Sequence, residues 1–163
     1  MVNTGETTAT MDQLSTHEAT AEYLRLTNMF TSLINEQSFG DGFEACFADD
    51  CEWLIGPPLK FEAVGPPAIR SLITEKLDGL DFLFQIVGSS VVTEVHADRL
   101  VGITSIIEIG RVNAEQGFQV LGVYRDDVVK RDGVWKFGRR KFRVVAIDPS
   151  PLAYKLYQHV PVD

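Results

Sequence analysis

The chain is poor in the groups on which most enzyme chemistries depend. Its three histidines, His17, His96 and His159, are far apart, and none stands at HxH or HExxH spacing from a carboxylate, so no metal site is expected. His96 falls in His96-Ala97-Asp98 between two β-rich runs, where a solvent-exposed turn is the simplest place for it. Cys46 and Cys51 match neither a CxxC pair nor a disulfide framework, and Cys51 has no evident base beside it. They read as free thiols. With no GxGxxG and no phosphate-binding loop, no nucleotide cofactor is expected.

Carboxylates and a guanidinium in apolar surroundings remain. Glu108 shares a strand face with Ile106 and Gly110, with Ile107 and Ile109 on the other face, so it lies either at a pocket or on a solvated sheet edge. In a pocket, burial would raise its pKa, one route to a base that works near neutrality. Asp50, just ahead of Trp53, is expected to tie a helix end to a strand. Within Arg139-Arg140-Lys141, alternation turns Arg140 to the face opposite its neighbours, so the cluster is not a basic patch. An inward guanidinium cannot stay unpaired; Glu36, Glu108, Asp50 or an anionic ligand group would have to meet it.

The elements that must position these groups follow in order. Residues 1–14 read as a flexible arm. Ser15-x-x-Glu18 is a capping-box pattern that opens a helix to about Gln37, with Tyr23, Thr27, Phe30 and Ile34 along one face. Phe39-Gly40-Asp41-Gly42 breaks it, and Asp41-x-x-Glu44 can cap a short second helix through Phe47. Cys51 to Ile55 alternates like a strand, Gly56-Pro57-Pro58 ends it, and Phe61 to Val64 is a short extended piece. Pro66-Pro67 starts a third helix, stopped by Asp78-Gly79. Four strands then span Phe82–Val95, Arg99–Arg111, Phe118–Val129 and Val134–Ile147, joined by links short enough for hairpins. A tail, 152–163, carries a possible turn at Ala153–Tyr157. Helices first and an antiparallel meander after them make an α+β domain over 15–151.

Composition sets outer limits. At 163 residues, 45% hydrophobic and 23% charged, the chain is a single ordinary globular domain. A net charge of −8 argues against a nucleic-acid partner, whose binding rests on cations. No run approaches the roughly 20 apolar residues of a membrane helix, and polar, Thr-rich residues 1–14 lack the pattern of a secretory signal. A cytoplasmic protein without membrane contact is expected.

Two stretches carry a resemblance. Phe47-Ala48-Asp49-Asp50-Cys51-Glu52-Trp53 resembles the F-x-x-D-x-x-W lead-in to the first strand of SnoaL-like proteins, within the nuclear-transport-factor-2-like superfamily. Gly122-Val123-Tyr124-Arg125-Asp126-Asp127 with Arg131-Asp132-Gly133-Val134-Trp135-Lys136-Phe137 resembles their closing hairpin. The chain looks most like the branch containing hexachlorocyclohexane dehydrochlorinase and scytalone dehydratase, cofactor-free lyases of hydrophobic cyclic substrates. The resemblance implies a cone-shaped curved antiparallel sheet with three helices enclosing an apolar pocket, a small hydrophobic molecule as partner, no cofactor, and a homodimer or homotrimer. It implies a lyase or isomerase working by proton abstraction; a non-catalytic ligand-binding or structural member is the alternative, since one fold hosts many functions.

The dehydrochlorinase-like members pair an Asp near the end of the first helix with a His on a sheet strand, assisted by an Arg on the last strand. Ungapped counting carries these positions onto Glu36, with Asn35 next to it if a gap intervenes, onto Gln85 and onto Arg140. The histidine is thus replaced by glutamine. The resemblance accordingly implies Glu36, Gln85 and Arg140 as catalytic residues facing one cavity; Tyr23, Trp53 and Tyr124, aromatic residues with polar tips, are placed at its wall with Glu108, ordinary core packing being the alternative for each ring. For Glu36 a solvated helix end, and for Arg140 a structural ion pair, stand as the alternative readings.

Overall fold

The computed structural model describes residues 15–156. The expected arm, residues 1–14, and the last seven residues of the tail lie outside the described residues. Helix α1 covers Thr16–Asn35 and opens as its pattern predicts: Glu18 N–H donates to Ser15 Oγ (3.2 Å) and Ser15 N–H to Glu18 Oε2 (2.9 Å). Its buried face is Ala19, Tyr23, Leu26, Thr27, Phe30, Thr31 and Ile34. Gln37, in the left-handed region at φ 50°, turns the chain out of the helix.

Helix α2, Asp41–Glu44, is shorter than predicted, because β1 begins at Phe47 and runs to Ile55. Phe47 and Ala48 are buried while Asp49 and Asp50 are exposed, so Asp50 sits on the solvated side of a strand rather than tying a helix end to it. After β2 (Phe61–Val64) and α3 (Pro66–Leu77) come the long strands β3 (Phe82–Val95), β4 (Arg99–Asn113), β5 (Gln116–Arg131) and β6 (Val134–Asp148). The turn expected from Ala153 is absent from residues 153–156, which have no regular structure; Tyr157 lies outside the described residues.

The six strands form one sheet in the order β2-β1-β6-β5-β4-β3. All neighbours are antiparallel except β1 and β6, which run parallel with Trp53 opposite Arg140. The sheet is thus the curved, antiparallel-rich one expected, with one parallel neighbour pair. A hairpin meander can join its own strands only in antiparallel fashion, whereas β1 arrives from two helices and docks on β6 from outside. Helix α1 packs along edge strand β3, and α3 packs on β1 and β2, leaving a core between the helices and one sheet face. At Gly102 any Cβ would lie 2.3 Å from the Tyr23 ring, so the bare backbone there lets α1 seat its tyrosine on β4. Among the described residues no helix is long and apolar enough to cross a membrane.

Candidate active site

One end of the enclosed space is an apolar cavity of about 380 Å³. Trp53 and Ile55 of β1, Phe61 of β2, Leu72 and Leu77 of α3, and Phe118 and Val120 of β5 supply much of its wall. Phe118 can lie flat there because its neighbour across the ladder is Gly110, where a Cβ would fall 2.2 Å from the ring. Among the described residues the ionisable groups on this wall are Glu108 and Lys76. Lys76 stands at the rim, its Nζ 4.4 Å from the Phe61 ring centroid and 2.8 Å from Glu75 Oε1.

Glu108 is the carboxylate of the cavity. It sits directly opposite Gln85 across the β3–β4 ladder and accepts a 2.7 Å hydrogen bond from Gln85 Nε2. Enclosure by apolar side chains pushes its pKa above the ordinary value, and the Gln85 donor pulls the other way. Gln85 is 4% exposed, and its Oε1 is buried without a partner. Its backbone belongs to an edge strand, and its N–H and C=O point away from β4 to the last residue of α1. Gln85 N–H donates to Asn35 Oδ1 (2.6 Å), and Asn35 Nδ2 donates to Gln85 O (3.0 Å). Gln85 and Glu108 therefore form the non-hydrogen-bonded kind of cross-strand pair, in which side chains approach most closely.

The expectation that Glu36, Gln85 and Arg140 face one cavity is corrected. Glu36 is exposed at the helix cap, accepting from Ser32 Oγ at 3.1 Å. Each helical residue advances the side chain by about 100°, so Asn35 lies over β3 while Glu36 points to solvent. The neighbouring position, Asn35, is the one that meets Gln85. Gln85 reaches the cavity through Glu108 rather than lining it.

Arg140 is 1% exposed and lies off the cavity wall, in the core. Its Nε and Nη2 donate to Asp126 Oδ1 and Oδ2 at 2.9 and 3.3 Å. The rings of Phe30, Tyr124 and Phe137 surround its Cζ at 4.2, 4.0 and 3.9 Å. Burial works against the Arg140 charge, but Asp126 outweighs it and keeps the guanidinium protonated. The ion-pair reading thus describes its place, with a partner that sequence reasoning missed. Counted straight back from the Arg131–Val134 hairpin, Arg140 would oppose Arg125; a register shift between Asp127 and Val128 brings Asp126 opposite instead.

Of the four wall residues expected, Trp53 and Glu108 line the cavity. Tyr23 belongs to the buried network: Thr104 Oγ1 donates to its hydroxyl (2.8 Å), which donates to Asp126 Oδ2 (2.9 Å). Tyr124 stacks on Phe142 at 4.7 Å and on Arg140, also off the wall. Both phenols are held well above their ordinary pKa by burial. Burial likewise pushes the Cys46 and Cys51 thiols up, to about 11 and about 12, so neither is a nucleophile at neutral pH. Sequence reasoning missed Lys76 and Phe118; the i, i+4 spacing of Lys76 from Leu72 on α3 was the available signal. Among the described residues no three His, Cys, Asp or Glu side chains gather as a metal site would require.

Solved structures share this architecture. A hexachlorocyclohexane dehydrochlorinase, LinA type 2, superposes with a TM-score of 0.76 at 21% identity, covering 87% of this chain and 95% of its own. A scytalone dehydratase candidate from Novosphingobium aromaticivorans gives 0.70 at 20% identity, with coverage of 83% and 94%. ActVI-ORFA from Streptomyces coelicolor gives 0.64 at 14% identity, with coverage of 77% and 96%. At these identities the likeness is one of fold. No curated protein sequence matches the chain. The SnoaL-like domain matches residues 15–141, most of the chain, and the protein therefore belongs to the SnoaL-like domain family.

Proposed function

We propose that the protein is a cofactor-independent lyase or isomerase of small hydrophobic, ring-containing molecules, with Glu108 as the group that moves the proton. The observation that carries this reading is the placement of Glu108: a carboxylate on the wall of an apolar cavity, gripped by one amide and raised in pKa by its surroundings. The Trp53, Phe61 and Phe118 rings offer flat surfaces suited to a cyclic partner. In an elimination, ionised Glu108 takes a proton from carbon, the C–H electron pair becomes the new double bond, and the leaving group departs with its own pair. The Lys76 ammonium at the rim is then the cation nearest to hand for the departing anion, because Arg140 is committed to Asp126. The dehydrochlorinase among the structural neighbours is in keeping with that chemistry.

A non-catalytic binder of the same molecules is the second reading, favoured by the sealing of Arg140 away from the cavity. One experiment separates them. A panel of chlorinated and hydroxylated cyclic compounds is screened for product, and for binding by quenching of tryptophan fluorescence. The lyase reading expects turnover that Glu108→Gln lowers by about 10²–10⁴-fold with binding kept. Binding without turnover by the wild type, or full turnover by the variant, overturns it.

A further inference from the structure

The end of α1 and the edge of the sheet meet at a chain of three side chains that leads to the cavity. Asn35 closes the α1 side of β3 by pairing both backbone groups of Gln85, as a neighbouring strand would. The Gln85 side chain then crosses to Glu108 on β4. We propose that Asn35 and Gln85 are positioning residues for Glu108: Asn35 fixes the Gln85 backbone, and Gln85 Nε2 holds Glu108 Oε2, leaving Oε1 as the oxygen that takes and returns the proton. The inference builds on the reading of Glu108 as the proton-moving group and adds how it is aimed.

The reasoning is one of donors and acceptors. An ionised carboxylate only accepts, whereas a neutral one carries a single O–H donor. With the Gln85 N–H directed at Oε2, a proton on Oε2 would set donor against donor, so the neutral acid carries its proton on Oε1. Turning the amide over would face Gln85 Oε1 to an ionised Glu108 and would bury both N–H donors without partners. The observed orientation leaves one carbonyl unpaired instead, the smaller cost of the two. The Gln85 amide serves both protonation states without moving, and Glu108 needs no reorientation between them. Asn35 supplies the rigidity, since without it both backbone groups of Gln85, which point away from β4, would lack a partner at the strand edge.

The charged and titratable groups facing Glu108 are few. Lys76 approaches from α3 at the cavity rim, and from β5 Tyr124 lies near enough for the Glu108 charge to help burial hold its phenol protonated. From β1 and β6 the cavity receives Trp53, Ile55 and Ile147, which do not titrate. Loss of the Gln85 donor is therefore expected to move the Glu108 midpoint upward.

The test needs no substrate. Full-length protein labelled with ¹³C in glutamate is titrated by NMR, with the Glu108 carboxyl signal assigned by its loss in Glu108→Gln. Gln85→Met is expected to raise the midpoint by about one to two pH units, and Asn35→Ala to raise it by less, with the amide fingerprint of the sheet kept in both. In the wild type the Gln85 side-chain amide signal should titrate with Glu108 and lose that dependence in Glu108→Gln. That last measurement holds even if Gln85→Met does not fold. A midpoint unmoved in a folded Gln85→Met, or a Gln85 amide signal indifferent to pH, overturns the proposal. Absence of turnover on every compound, with these couplings intact, would count against the lyase reading and not against the positioning.

Discussion

Replacing Asp126 by alanine would leave the Arg140 guanidinium enclosed by three aromatic rings with no counter-charge. At 1% and 0% side-chain exposure, neither partner of this pair can be rescued by water where it stands. Removing one side of a buried ion pair costs about 3–5 kcal/mol, most of it from the charge left behind. The Tyr23 hydroxyl also loses its acceptor, a bond to a charged group worth about 1.5–3 kcal/mol. The two losses share one carboxylate and do not add, so about 4 kcal/mol is the expected destabilisation. With a urea m-value of about 2 kcal/mol/M, the midpoint should fall by about 2 M. Equilibrium urea unfolding followed by tryptophan fluorescence and by circular dichroism measures it, the agreement of the two probes checking two-state behaviour. The companion variant, Asp126→Leu with Arg140→Met, removes both charges and should recover much of the loss, because desolvation is then no longer demanded of either. A loss below 1 kcal/mol in Asp126→Ala, or a double variant worse than the single, would refute the view that the charge of Arg140 is what Asp126 is there to meet.

Two further outcomes follow from the geometry. The folded-state pKa of Glu108 is raised, so between the ordinary carboxylate value and that raised value the folded protein binds more protons than the unfolded chain; stability should fall as pH rises through this window, then level off, and Glu108→Gln should flatten the dependence in denaturation curves from pH 4 upward. On the outer sheet face Phe84 and Ile86 of β3 stand beside Ile109 and Ile107 of β4, and Ile107 beside Leu121 of β5, a contiguous apolar patch much of which is exposed. We expect it to be covered by a second copy, so light scattering should find a homo-oligomer that Phe84→Lys with Leu121→Lys dissociates; a monomeric wild type at micromolar concentration would refute this.

What could and could not be read from the residues has a physical pattern. The β3–β6 meander was legible because its links, such as Arg131-Asp132-Gly133, carry turn residues whose backbone needs are local; Asp132 and Gly133 both take positive φ there. The capping box of α1 was legible for the same reason. Face was legible for Tyr124, which lies inward on β5 together with Phe118, Val120 and Asp126. Depth was not. Phe118 and Val120 reach the cavity, whereas Tyr124 and Asp126 meet Arg140 in the core, and alternation assigns the same face to all four. Position along the cone depends on how the sheet curves under α1 and α3, which is a property of the whole packing. A one-residue offset and a missed partner account for the rest. A helix turns a side chain by about 100° per residue, so counting to Glu36 rather than Asn35 exchanged a solvated carboxylate for the amide that grips β3. Arg140 was expected to meet Glu36, Glu108, Asp50 or a ligand; the register shift between Asp127 and Val128 sets Asp126 opposite it, a pairing with no local signal in the sequence. For Glu108 the strand pattern left pocket and solvated edge open, because alternation gives a face without saying what covers it; the cavity and the Gln85 amide beside it are what a buried carboxylate there requires.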